Sequence, residues 1–60
     1  MKFTLTIESR GAQATDEPHG MTYDLLHETA DRVDKGHGEG VLFDINGNKV
    51  GFWILREAHA

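Results

Sequence analysis

The sequence has no cysteine and only one proline among its 60 residues. Without cysteine, disulfides and cysteine-based structural zinc sites are excluded as sources of stability. We expect a single domain over residues 1–60, and a chain of this length buries only about 60 % of the surface that its unfolded form exposes. Self-association is the remaining common way to stabilise so small a domain, so we expect a homodimer.

Basic residues are also few. Six Lys and Arg stand against ten Asp and Glu, which gives a formal net charge of -4. The basic residues form no cluster along the chain, whereas a protein that binds a nucleic-acid duplex needs a basic face. We therefore expect no nucleic-acid partner, and an acidic surface suits a protein partner better.

Long hydrophobic runs are absent as well. The first residues, MKFTLTIE, alternate apolar with polar and contain no apolar run of signal-peptide length. No stretch approaches the length of a membrane span. We expect a soluble cytoplasmic protein without a membrane partner.

The pattern of apolar residues predicts three strands and one helix. Alternation of Phe3, Leu5 and Ile7 with polar residues indicates a strand. The expected elements are a strand over 2–8, a loop over 9–17, a helix over 21–35, and hairpin strands over 40–44 and 49–56. On a helical wheel, Leu26 and Val33 form the centre of the apolar stripe. Gly36 is expected to end the helix in the left-handed conformation.

The helix start and the hairpin register each have two solutions. The helix begins either after Asp16, with Pro18 in its first turn, or at Thr22. In the hairpin, a two-residue turn on Asn46-Gly47 places Val41 and Phe43 on the face of Val50, Phe52 and Ile54. A three-residue turn with Asp44 at its first position and Gly47 left-handed places Leu42 with those three residues instead. We favour the three-residue turn because it also explains Asp44.

The last strand is apolar on both faces, which predicts that it lies in the middle of the sheet. A right-handed crossover through the helix then gives an α+β fold, a three-stranded β-α-β-β sheet of order 1-3-2 with one helix packed on one face. In the favoured register, five residues lie on the uncovered face and form the expected partner or dimer interface: Val41, Phe43, Gly51, Trp53 and Leu55. Gly51 would allow a partner to approach closely.

No catalytic, metal or cofactor site is indicated. The histidines, His19, His27, His37 and His59, have no helical ligand spacing, and a site needs several ligands. Asp44, Asn46 and Asn48 resemble the start of a calcium loop, but the glycine falls at position four and Leu55 stands where a bidentate Glu is required. We therefore expect that this protein is not an enzyme.

At the hairpin, the run GVLFDINGNKVG over 40–51, together with Ala30-Asp31-Arg32-Val33 and Gly36, resembles a group of small phage-encoded proteins with a D-x-N-G-N-x-V-G hairpin. The group's role is unassigned, so the resemblance implies a phage setting and nothing catalytic. Phe43, Phe52 and Trp53 make this chain more apolar than that group.

These features lead to two functional hypotheses. The first is a non-enzymatic phage accessory protein that self-associates and binds a bacterial host protein in the host cytoplasm, for example to inhibit a defence complex. The alternative is a protein that binds a small molecule or a metal in a cleft between the 9–17 loop and the helix start. Its polar groups would be His19, His27 or Asp24.

Overall fold

The computed structural model describes residues 1–57 of the chain. Its elements are strand β1 (Lys2–Ile7), helix α1 (Ala12–Asp16), helix α2 (Pro18–Asp34), strand β2 (Glu39–Phe43) and strand β3 (Lys49–Arg56). β3 lies between β1 and β2 and is antiparallel to both. The predicted α+β fold with strand order 1-3-2 is therefore confirmed.

The hairpin turn is the three-residue turn. The Asp44 N–H donates to the Asn48 carbonyl at 2.9 Å, and the Gly47 N–H donates to the Asp44 carbonyl at 3.0 Å. Gly47 has a φ of 82°, the left-handed conformation that this turn requires. Phe43 accordingly lies opposite Lys49.

One residue further along, a β-bulge changes the register. Leu42 lies opposite Gly51, so that Val50 is the extra residue of β3, and Val41 then lies opposite Phe52. A shift of one residue moves every following side chain to the other face of the sheet. The strands beyond the bulge therefore pair as the two-residue turn would pair them, although the turn itself has three residues.

This bulge makes part of the predicted interface wrong. Trp53 is only 1 % exposed and belongs to the core beneath the helices, and Leu55 packs against that core. Gly51 lies on the same face, where a Cβ atom would overlap the Thr6 carbonyl oxygen of β1. The close approach that we expected Gly51 to offer to a partner is thus made by the neighbouring strand.

The core lies between the sheet and α2. Its buried apolar residues are Met21, Leu25, Leu42, Val50 and Trp53, against which Leu5, Ile7, Ala14 and Leu55 pack. The Trp53 indole covers Gly40, its partner on β2, because a Cβ atom there would overlap the indole Nε1. Among the described residues, that buried Nε1–H has no hydrogen-bond acceptor.

Helix α2 begins at Pro18, earlier than position 21, because Pro is suited to the first helical position. At its other end, Gly36 has a φ of 91° as expected. The Gly36 N–H donates to Val33 O and the His37 N–H to Arg32 O, both at 3.0 Å. These two bonds form a Schellman motif, which ends the helix.

The buried line of α2 differs from the predicted stripe. Met21, Leu25 and Thr29 are buried, whereas Leu26 and Val33 are 49 % and 37 % exposed. Thr29 tolerates burial because its hydroxyl donates to the Leu25 carbonyl at 2.8 Å. Relative to the predicted orientation, the helix is rotated about its axis so that the line of Met21, Leu25 and Thr29 faces the sheet. Leu26 and Val33 therefore stay partly uncovered.

The segment over 9–17 is not simply a loop, since it contains α1. The Gln13 side chain is buried, and its Oε1 accepts a hydrogen bond from the Ile45 N–H of the hairpin turn at 3.0 Å. Ala14 packs against the core on the helix side. The segment therefore leaves the other face of the sheet uncovered.

Candidate interaction surfaces

The face of the sheet opposite the helices carries a contiguous apolar patch, which we call the open face: Val41, Phe43, Phe52 and Ile54. Phe52 lies on the central strand, opposite Val41 on β2 and Thr6 on β1. Phe43, Phe52 and Val41 are 54 %, 47 % and 41 % exposed. Val41 and Phe43 thus lie on the uncovered face as predicted. Phe52 and Ile54, which the favoured register places in the core, lie on this face as well because of the bulge.

Charged residues surround this patch. Lys2 lies opposite Arg56 at one end of the sheet, and Lys49 lies opposite Phe43 at the other. Glu39 lies opposite Ile54, and Glu8 follows β1. The open face therefore has more cations than anions at its rim, although the protein as a whole has a net charge of -4.

The alternative hypothesis places a cleft between the 9–17 segment and the helix start, and the structure has a small cleft that is lined by α1, α2 and the hairpin turn. Its volume is about 180 Å³, and Gln13, Asp24, Glu28 and Asp44 supply its polar lining. This volume is below the range of about 300 to 1,000 Å³ typical of small-molecule sites. Of the three polar groups that we expected there, only Asp24 lines the cleft.

None of the histidines within residues 1–57 lines this cleft. His19 is exposed, and the ring centroid of His27 lies 5.4 Å from that of Tyr23 on the surface of α2. His59 lies outside the described residues. Over residues 1–57, no group of three or more His, Cys, Asp or Glu side chains is arranged to hold a metal ion.

The Asp44 carboxylate is occupied by the hairpin turn. Its Oδ1 accepts hydrogen bonds from the Asn46 and Asn48 N–H groups, each at 2.9 Å, and its Oδ2 accepts one from Asn48 Nδ2 at 3.3 Å. The Asn48 N–H bond is the main cause of the lowered pKa of this carboxyl group, because it favours the charged form. Asp44 therefore stabilises the turn.

We predict that Asp44→Asn reduces the pH dependence of stability. A lowered folded-state pKa stabilises the fold above the unfolded value of about 3.9, and this contribution is lost as the pH falls through the folded-state pKa. Urea midpoints of the wild type and the variant should therefore differ more at pH 7 than near pH 3. An equal difference at the two pH values would contradict the assigned role of the charge.

In the described part of the chain, no helix is both long and apolar enough to cross a membrane. No protein-family model matches the sequence, and no curated protein or solved structure is significantly similar to it. We therefore infer the function of this protein from its own geometry, above all from the open face.

Proposed function

We propose that this protein is a non-enzymatic binding protein whose open face docks onto another protein. The observation that carries the proposal is the contiguous apolar patch with half-exposed Phe43 and Phe52. Single exposed apolar residues are ordinary on protein surfaces, whereas a contiguous patch with a polar rim is typical of an interaction site. Aromatic residues at the centre of such a patch are frequent anchors of binding energy.

The rim of the open face indicates the chemistry of the partner. Lys2, Lys49 and Arg56 lie around the apolar centre, whereas α2, on the other layer, carries four acidic residues and one arginine. Complementary charges at an interface rim raise the association rate and disfavour other partners. The surface that fits is therefore an apolar patch flanked by carboxylates.

The proposed setting is a phage or prophage accessory protein that binds a bacterial host protein in the host cytoplasm. The small size, the acidic net charge and the resemblance of the hairpin over 40–51 to small phage-encoded proteins support this setting. Inhibition of a host defence complex is one concrete form of the proposal, because a small protein can block a larger complex by covering one of its interfaces.

The test is a comparison of immobilised wild type, Phe52→Ser and Ile45→Ser in a bacterial lysate. Ile45 is the matched control, since it is 78 % exposed but lies in the hairpin turn, away from the open face. A protein retained by the wild type and by Ile45→Ser, but lost with Phe52→Ser, would support the proposal. Its affinity for Phe52→Ser, measured with the purified protein, should be weaker by about thirtyfold, as for an interface anchor.

Circular dichroism of the three proteins must show that each is folded. If every captured protein binds Phe52→Ser as tightly as the wild type, the open face is not the binding surface. Raised salt should weaken true binding, because the proposed rim contacts are between exposed charges.

A further inference from the structure

A second apolar surface lies on the other side of the sheet, between α2 and the edge strand β1. α2 lies nearer to β2 than to β1, which leaves a groove of about 700 Å³ over β1. Most of its lining is apolar and includes Met1, Phe3, Leu5, Leu26, Val33 and Leu55. Phe3 and Leu26 are 43 % and 49 % exposed, so a single chain leaves apolar side chains of this groove in contact with solvent.

The edge of β1 has unpaired backbone groups beside this groove. The Glu8 N–H donates to the Val50 carbonyl of β3. Since the backbone N–H and C=O groups of alternate residues point to the same side of a strand, those of Thr4 and Thr6 also point toward β3. The N–H and C=O groups of Phe3, Leu5 and Ile7 therefore point away from β3, toward the open edge. Within Lys2–Ile7 there is no proline, bulge or inward-facing charge of the kind that protects edge strands from pairing.

The sequence of β1 is complementary to itself when two copies run antiparallel. With Leu5 opposite Leu5 of the second copy, Phe3 lies opposite Ile7 and Thr4 lies opposite Thr6. Lys2 then lies opposite Glu8, which pairs opposite charges at both ends of the strand. Aromatic with β-branched, Thr with Thr, and opposite charges are each favourable cross-strand pairs.

This register also satisfies the backbone. It places the outward N–H and C=O groups of Phe3, Leu5 and Ile7 opposite one another, so that each pair exchanges two hydrogen bonds. The same two-fold axis brings the two grooves together on one side of the sheet, where Phe3 and Leu26 of both copies can cover each other.

We propose that a second copy of this chain pairs along β1 to form a continuous six-stranded sheet with a two-fold axis at Leu5. The occupant is a second copy because the strand matches itself in charge, in side-chain pairs and in hydrogen-bonding direction. This inference goes beyond the proposed function, because the open face on the other side of the sheet stays exposed in the dimer and free for its own partner.

The first test is sedimentation equilibrium of the wild type, Leu26→Glu and Phe52→Glu. Leu26 and Phe52 are similarly exposed in one chain, so each variant should fold. The expected result is a dimer for the wild type and for Phe52→Glu, but a monomer for Leu26→Glu, which would bury a charge in the joined groove. The Phe52 variant thus distinguishes a failure of the β1 dimer proposal from a failure of the proposed partner binding by the open face.

A charge exchange tests the register without disturbing the fold, because Lys2 and Glu8 are exposed. Lys2→Glu and Glu8→Lys should each raise the dimer dissociation constant by about tenfold, since each places like charges opposite one another twice in the dimer. The double variant restores opposite charges and should restore the wild-type constant. Absence of this restoration would overturn the proposed register.

Amide hydrogen exchange provides a direct readout of the edge. The N–H groups of Phe3, Leu5 and Ile7 should be protected at concentrations where the dimer forms and should exchange rapidly in Leu26→Glu. A wild type that sediments as a monomer at its highest soluble concentration would overturn the proposal. So would a dimer that Phe52→Glu dissociates and Leu26→Glu does not, or a small apolar ligand found in the groove of a monomer.

Discussion

Gly51→Ala is expected to leave most of the protein unfolded at 25 °C. A Cβ atom at this position would overlap the Thr6 carbonyl oxygen and approach the Ile7 Cα atom to 3.1 Å. These are backbone atoms of a paired strand, so they cannot move aside as the end of a flexible side chain does. Overpacking costs about 1 to 3 kcal/mol where neighbouring side chains can shift, and it costs more where, as here, the overlapping atom is backbone. A cost above that range matches or exceeds the roughly 3 to 5 kcal/mol of stability that a domain of this size has.

The matched control is Gly20→Ala in α2. The nearest atom to a Cβ there is the Glu17 Cβ at 3.9 Å, so the methyl group fits. Ala is favoured over Gly within a helix by about 0.5 to 1 kcal/mol, and we expect this variant to be more stable than the wild type. Far-ultraviolet circular dichroism with urea unfolding measures both. A folded Gly51→Ala protein with wild-type stability would show that β1 and β3 are not paired as described.

Trp53→Ala is expected to have a similarly large effect. Trp53 is the largest fully buried side chain of the described residues, and its ring centroid lies 6.0 Å from that of Phe3. Truncation of a buried Trp to Ala costs about 3 to 5 kcal/mol, as much as the whole stability of a small domain. Most of the variant should therefore be unfolded in the absence of denaturant.

Two further substitutions make this prediction specific. Phe52→Ala changes the next residue of the same strand, but on the open face, and should cost less than about 1 kcal/mol. Trp53→Phe keeps an aromatic ring in the core and removes the buried Nε1–H donor that lacks an acceptor in the described chain, so it should cost less than Trp53→Ala. If Phe52→Ala unfolds the protein and Trp53→Ala does not, the two faces of β3 have been exchanged.

The position of β3 could be predicted from the sequence, whereas the orientation of its faces could not. β3 carries apolar residues on both of its faces, which predicts a central strand whichever register the hairpin has. The turn chemistry of Asp44 and Gly47 also predicted the turn correctly. The bulge at Val50 could not be predicted from the turn residues. It allows Val50 and Trp53 to be buried together, and this packing depends on the helices that cover them.

The helices show the same limit. The wheel identified an amphipathic helix but centred its apolar stripe on Leu26 and Val33, whereas the adjacent line that contains Leu25 is the buried one. α1 is held by the bond between Gln13 and Ile45, which are 32 residues apart in the sequence. Local patterns carry no information about such a contact, and the segment over 9–17 therefore had the pattern of a loop.

The side of the sheet on which each β3 side chain lies decides which residues form the open face and which line the groove. Trp53 is the only tryptophan of the chain, so its fluorescence reports this assignment directly. We predict emission that is blue-shifted relative to the urea-unfolded chain and quenched only weakly by acrylamide, with no change in Phe52→Ser. Emission of a folded protein at the unfolded wavelength, with strong quenching, would place Trp53 in solvent and contradict both the open face and the β1 dimer.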